Sequence, residues 1–228
     1  MSSIDKSTLT FLKDLSKNNN REWFTENKKD YDRSHANMCD FMDDVLSKLN
    51  VHDEIETPSG KKSLFRIYRD VRFSKDKTPY NPRFAGGFKR AGASRRGGYY
   101  FHFSPDSVMV GVGFWAPNKE DLARIRYDIA EFHEDWRRLL DRKEIKSTFG
   151  EMIGEQLKTA PKGFDKTHPA IDLIRKKQFL LTRSFSDKEV LAPNFQEEVL
   201  ATFQEMRPCF DYMSEVLSTD LNGESLYN

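Results

Sequence analysis

Between Lys61 and Arg96 twelve Lys and Arg residues stand against two Asp, in a chain whose net charge is only +1 over 228 residues. The excess is local: residues 1–60 hold 8 basic and 12 acidic side chains, and residues 97–228 hold 17 and 22. Within the stretch, Arg66, Arg69 and Arg72 recur at three-residue steps and are followed by Lys75 and Lys77. Guanidinium groups grip phosphate or carboxylate oxygens through two parallel hydrogen bonds, so this set suits an oxyanion ligand. A plain solvated face would carry both signs in similar number, as the rest of the chain does.

The segment that must position these groups is Ser63 to Phe73. Phe65, Ile67, Val71 and Phe73 share one parity, and Arg66, Tyr68, Asp70 and Arg72 share the other. Period-two alternation predicts a half-buried strand with a polar working face. Same-face neighbours on a strand lie ~7 Å apart, so Asp70 is expected to pair with Arg72 or Tyr68, leaving Arg66 least neutralised. Arg69 falls on the apolar parity and needs either a bulge or an acid from a packed helix. In this reading Arg66, Arg69 and Arg72 hold the anion, while Lys75 and Lys77 close over it and Tyr80 lies beside them. Tyr68, Asp70 and His102 are the candidates for proton transfer if there is a reaction. Asn27, in line with Trp23 and Tyr31 at four-residue steps, is expected to point into a site.

Other chemistries find little support. Lys75 to Tyr80 lacks the glycines and following helix of a phosphate-cradling loop. The five histidines (His35, His52, His102, His133, His168) show no metal-ligand spacing, and no cofactor motif is present. There is no nucleophile elbow, and neither Cys39 nor Cys209 has a base beside it in sequence. A different class of partner, nucleic acid or an acidic protein surface, would use the basic 61–96 hairpin and its loop, with Lys89, Arg90, Arg95 and Arg96 as contacts and nearby aromatics as stacking platforms. No nucleic-acid signature accompanies it, and the near-neutral total excludes binding by bulk charge.

Around that stretch the elements are as follows. Thr8 to Ser16 reads as a helix that stops at Asn18-Asn19-Asn20. Asn19 with Glu22 resembles a capping box opening one long helix, about Arg21 to Leu49. Short strands are expected at residues 84–90, 99–103 and 108–115, with turns tight enough for an antiparallel meander. Tyr99 to Phe103 is aromatic on both parities, hence central. A helix of about six turns follows Pro117-Asn118, then a short helix at 170–177, a strand at 179–185 and a last helix kinked at Pro208. The prediction is one α+β domain over 1–228: N-terminal helices at about 8–50, a mainly antiparallel sheet at about 61–116, and helices with one further strand at about 117–218. No apolar run approaches the ~20 residues that cross a bilayer, and the first residues lack a signal peptide's apolar core. Two cysteines without pairing or metal spacing fit a cytoplasmic protein.

Several of these stretches resemble an uncharacterised family, domain of unknown function 2461. Asn19-Asn20-Arg21-Glu22-Trp23-Phe24 with Asn27, Lys28 and Tyr31 is similar to its opening motif. Arg66 through Tyr80 is similar to its most distinctive stretch. Gly98-Tyr99-Tyr100-Phe101-His102, Gly113-Phe114-Trp115-Ala116-Pro117 and His168 through Arg175 also fit. Asn81 departs from the pattern, standing where a lysine is expected. The resemblance implies a single mixed α/β domain in a cytoplasmic protein and carries no reaction or ligand.

Overall fold

The computed structural model describes residues 2–105, 107–220 and 224–227. In chain order come α1 (Lys6–Lys17), α2 (Arg21–Glu26), α3 (Lys28–Leu49), α4 (Gly60–Ser63), β1 (Phe84–Lys89), β2 (Gly98–Ser104) and β3 (Ser107–Phe114). They are followed by α5 (Lys119–Glu131), α6 (His133–Leu140), α7 (Lys143–Phe149), α8 (Ile171–Ile174), β4 (Phe179–Phe185), α9 (Asp187–Val190), α10 (Phe195–Glu205) and α11 (Arg207–Ser218). The class is α+β, with one four-stranded antiparallel sheet in the order β1-β2-β3-β4. Among the described residues no helix is long and apolar enough to cross a membrane.

The residues group into two compact units. The first comprises Met1–Lys89, Tyr100–Val110 and Ser184–Ala201. Its core forms where α1 buries Leu9, Phe11, Leu12 and Leu15, and α3 buries Met38, Phe41, Met42, Val45 and Leu49 at helical spacing. Phe41 stacks on Phe195 at 5.6 Å and meets Phe103 edge-on at 6.1 Å. Two glycines permit close backbone approach. A Cβ on Gly60 would lie 2.3 Å from the Cys39 carbonyl oxygen of α3, and one on Gly86 would lie 1.9 Å from that of Ser63.

The second unit comprises Arg90–Tyr99, Gly111–Arg183 and Thr202–Asn228. Ile125, Ile129, Trp136, Phe179, Phe203 and Phe210 are buried in it. Arg90 is buried too, with its guanidinium donating to Ser214 Oγ (3.2 Å), the Arg96 carbonyl (3.1 Å) and Asp211 (3.3 Å) above the Phe210 ring. A buried charge is tolerable only when satisfied in this way.

Several expectations on boundaries are corrected. The long helix from 21 to 49 is two helices, because Asn27 leaves the helical path, and Asn20 rather than Asn19 caps α2 by accepting from the Trp23 N–H (2.8 Å). The six-turn helix after Pro117 is likewise broken at Phe132 into α5 and α6.

The largest correction concerns Ser63 to Phe73, which is no strand. Leu64 bridges Gly86 and Tyr68 bridges Tyr80, so four steps on one side face six on the other. That mismatch is a bulge, and Pro82 inside it has no N–H to continue a ladder. From Arg69 to Pro79 the chain is an irregular loop. The predicted apolar face fails with the strand: Ile67 is buried, but Phe65 is 63% exposed and Phe73 96%.

Candidate functional site

The basic loop is braced by its own charges. Arg69 Nη1 donates to both Asp76 and Thr78, and Arg72 forks onto Asp70 with Nε at 3.0 Å and Nη2 at 2.7 Å. The acid that Arg69 finds belongs to its own loop, not to a helix. Asp76 is held down to about 2, first by the Thr78 N–H and then by Arg69, and Asp70 is held low by Arg72. Lys77 Nζ donates to the Val71 carbonyl (2.9 Å) instead of closing over a ligand. Arg69 and Arg72 are therefore each paired with a carboxylate inside the loop, while the Arg66 and Lys75 side chains make no hydrogen bond or ion pair with a described residue.

Tyr80, expected beside the ligand, is 5% exposed and stacks on Phe24 at 4.0 Å. Asn19 fixes its backbone from both sides: Asn19 Nδ2 donates to the Tyr80 carbonyl (2.9 Å), and the Tyr80 N–H donates to Asn19 Oδ1 (3.1 Å). Tyr68 remains exposed, its ring 5.3 Å from that of Tyr80. Asn27 joins α2 to α3, donating to the Trp23 carbonyl (2.8 Å), and lines a hollow of about 190 Å³ with Asp14, Asp30 and Arg33. The loop to which nucleic-acid contacts were assigned is tied down as well. Besides the burial of Arg90, Arg96 pairs with Asp121 and its Nη1 lies 3.1 Å from Tyr227 OH, while Lys89 pairs with Glu56.

His102 is the one candidate that reaches a different kind of place. β2 buries Tyr99, Phe101 and Phe103 and leaves Tyr100, His102 and Ser104 half-covered on the other face. These three form a line: Tyr100 OH lies 3.3 Å from His102 Nδ1, His102 Nε2 lies 2.9 Å from Ser104 Oγ, and Ser104 Oγ donates to the Ser107 carbonyl (3.0 Å). A serine hydroxyl has one proton, so with it given to Ser107 the bond to His102 must be donated by Nε2–H. Nδ1 then accepts from Tyr100. This arrangement puts a proton on His102 Nε2, and what favours the neutral ring is its lowered pKa. Burial pushes its pKa below the ordinary histidine value, and the nearby Arg83 pushes the same way.

His102 and Ser104 line a hollow of about 390 Å³ with Ser16, Asn81, Pro82, Arg83 and Pro105, within the first unit. None of these described residues is acidic, and the Arg83 guanidinium makes no hydrogen bond or ion pair with a described residue, while its backbone N–H donates to the Asn81 carbonyl (2.7 Å). Pro82 and the bulge deliver Arg83 and Asn81 to its rim just before β1 begins. The region combines a guanidinium with no carboxylate partner among the described residues, an imidazole, two serine hydroxyls and an amide. Such a set has the donors to hold an oxyanion, with His102 Nε2 and Ser104 as groups able to exchange a proton. Sequence reasoning passed over Arg83, Tyr100 and Ser104. The signal that finds the last two is parity, since residues 100, 102 and 104 share one face of β2.

The fold is that of an α+β protein, and the hollow on the β2 face is lined, among the described residues, by one arginine and several hydrogen-bonding side chains. The chain belongs to the family described as conserved hypothetical protein (DUF2461), whose model matches residues 7–212 of 228. Neither a curated protein nor a solved structure gave a match.

Proposed function

We propose that this protein binds a small phosphate- or carboxylate-bearing ligand in the hollow beside β2. Arg83 takes the charge, Ser16, Asn81 and Ser104 complete its hydrogen bonds, and His102 serves as the proton-transfer group when the bound ligand reacts. The observation that supports this reading is Arg83 beside His102 and Ser104 in a cavity with no carboxylate among its described lining residues, His102 being joined in turn to Tyr100. A cavity of about 390 Å³ suits a small molecule. A cytoplasmic setting belongs to the same reading and is supported by the two free thiols, Cys39 and Cys209.

The test is a titration with inorganic phosphate and, separately, with benzoate, followed by NMR at the His102 ring protons. Saturable shifts at His102 that disappear in Arg83→Ala support the proposal. Rings indifferent to both anions up to tens of millimolar overturn it. Phosphate also raises melting temperatures without a site, so a thermal shift alone is not the readout.

A second reading keeps a macromolecular anion as the partner. It is supported by Phe65, Tyr68 and Phe73, all exposed in one loop with Arg66 and Lys75. Its test is oligonucleotide affinity that falls with salt and with Phe73→Ala. Affinity unchanged by that substitution dismisses the loop.

A further inference from the structure

The second unit holds a cavity of about 770 Å³ between α5 and α11. Its chemistry is opposite to that of the β2 hollow. Tyr127, Phe132 and Tyr212 supply aromatic walls, with Tyr127 and Phe132 each about half exposed. Asp128, Glu215 and Asp220 line it against a single cation, Arg124. That guanidinium is already committed to the end of α11: Nε donates to the Val216 carbonyl (3.3 Å) and Nη2 to the Thr219 carbonyl. The last carbonyls of a helix carry its partial negative charge, so Arg124 offsets backbone rather than Asp128 or Glu215.

Asp128 gives the sharper observation. Trp136 Nε1 (2.6 Å) and Tyr212 OH (3.1 Å) both donate to its Oδ1, and Oδ2 accepts from no described residue. Asp128 is half-buried, and its Oδ2 is not one of the buried unpartnered atoms, so this oxygen is open to solvent. One oxygen is thus satisfied twice and the other is left for a donor that the described residues do not supply. Burial raises the Asp128 carboxyl above its ordinary pKa, the first of its causes, while its two hydrogen bonds work the other way. Tyr212 is pushed up by burial and by Asp128, so its hydroxyl stays protonated and remains a donor.

We infer that this cavity is a binding site for an organic ammonium ion carried on an apolar, preferably aromatic, body. The N–H groups of the cation reach Asp128 Oδ2, its charge faces Glu215 and the aromatic rings, and its body displaces water from the apolar walls. Aromatic faces attract a cation on their own account, and a carboxylate among them reinforces the preference. A neutral isostere lacks both gains and an anion meets repulsion, so the site selects on charge.

The test uses the full chain and 2-phenylethylamine as probe, titrated by calorimetry at low salt, with 2-phenylethanol and 3-phenylpropionate as neutral and anionic comparators. The expected result is saturable amine binding at least about tenfold tighter than that of the alcohol, with no binding of the acid. Asp128→Asn keeps an acceptor for Trp136 and Tyr212 and is expected to lose about tenfold or more for the amine alone. Should that variant not fold, Tyr127→Ala and Glu215→Gln, both on exposed side chains, are each expected to weaken the amine several-fold. An alcohol that binds as tightly as the amine, amine affinity unmoved by every variant that folds, or no saturable amine binding at millimolar concentration overturns the inference. These readouts do not involve His102 or Arg83, so the phosphate site stands or falls separately.

Discussion

Two regions of the first unit compete for the role of anion site, and they differ in what surrounds their charges. The loop from Arg69 to Pro79 holds the denser positive charge, yet Arg69 and Arg72 are each spent on a carboxylate within it. The β2 hollow holds one arginine, Arg83, with no acid among its described lining residues. Charge counted along a chain measures what a segment carries, whereas binding depends on what remains after the fold pairs it. Two exposed aspartates are enough to turn the richest basic stretch into a self-braced scaffold.

If the loop is scaffold, its anchor matters more than its charges. Tyr80→Ala removes a buried ring stacked on Phe24 and is expected to cost on the order of 3 kcal/mol, read as a fall in the urea midpoint. A midpoint that hardly moves would break the comparison at its base. Arg69→Ala comes next. It frees Asp76 and Thr78 together, with an expected loss of about 1 kcal/mol and faster tryptic cleavage at Lys75 and Lys77. The His102 response to phosphate should survive that substitution.

The third expectation concerns His102 itself. Its folded pKa lies below the ordinary histidine value while the unfolded chain keeps that value, so the unfolded state binds the proton more readily. The stability this contributes is fully present above about pH 6.5 and is lost as pH falls through the lower folded value. Arg83→Ala should raise the NMR midpoint of His102 while leaving it below that of a free histidine, because burial is the larger cause. A midpoint that does not respond would separate Arg83 from the imidazole and remove the reason for pairing them.

Much of this architecture was legible in the chain, and what was not has a physical cause. β2, β3 and β4 follow from short apolar runs bounded by turn residues, and the class follows from helices on either side of them. The break at Asn27 was hidden because the apolar stripe continues across it. Asn27 falls on the stripe, and both its backbone N–H (3.0 Å) and its side-chain amide (2.8 Å) donate to the Trp23 carbonyl. The segment Ser63 to Phe73 misled for a different reason. Its alternation is real, but alternation reports only a preference, while register is decided by the partner, and here Pro82 and the bulge deny it one. Arg83 went unnoticed within the same basic run because nothing local distinguishes an arginine with an acid nearby from one without. Asp76 reaches Arg69 only once the loop has folded back on itself.

The smallest expected effect is also the sharpest discriminator. Asp70 and Arg72 form a forked ion pair at the surface, both more than half exposed. Water and salt solvate each partner almost as well as they solvate each other, so Arg72→Ala should leave the urea midpoint unmoved within error. The phosphate response at His102 should be unchanged as well. Arg83→Ala removes the same formal charge from the same basic stretch and is expected to abolish that response. Were the stretch acting as a diffuse field, the two substitutions would weaken phosphate alike and increasingly so at low salt. Equal loss in both variants would return the anion site to the loop, whereas loss in Arg83→Ala alone keeps it beside β2.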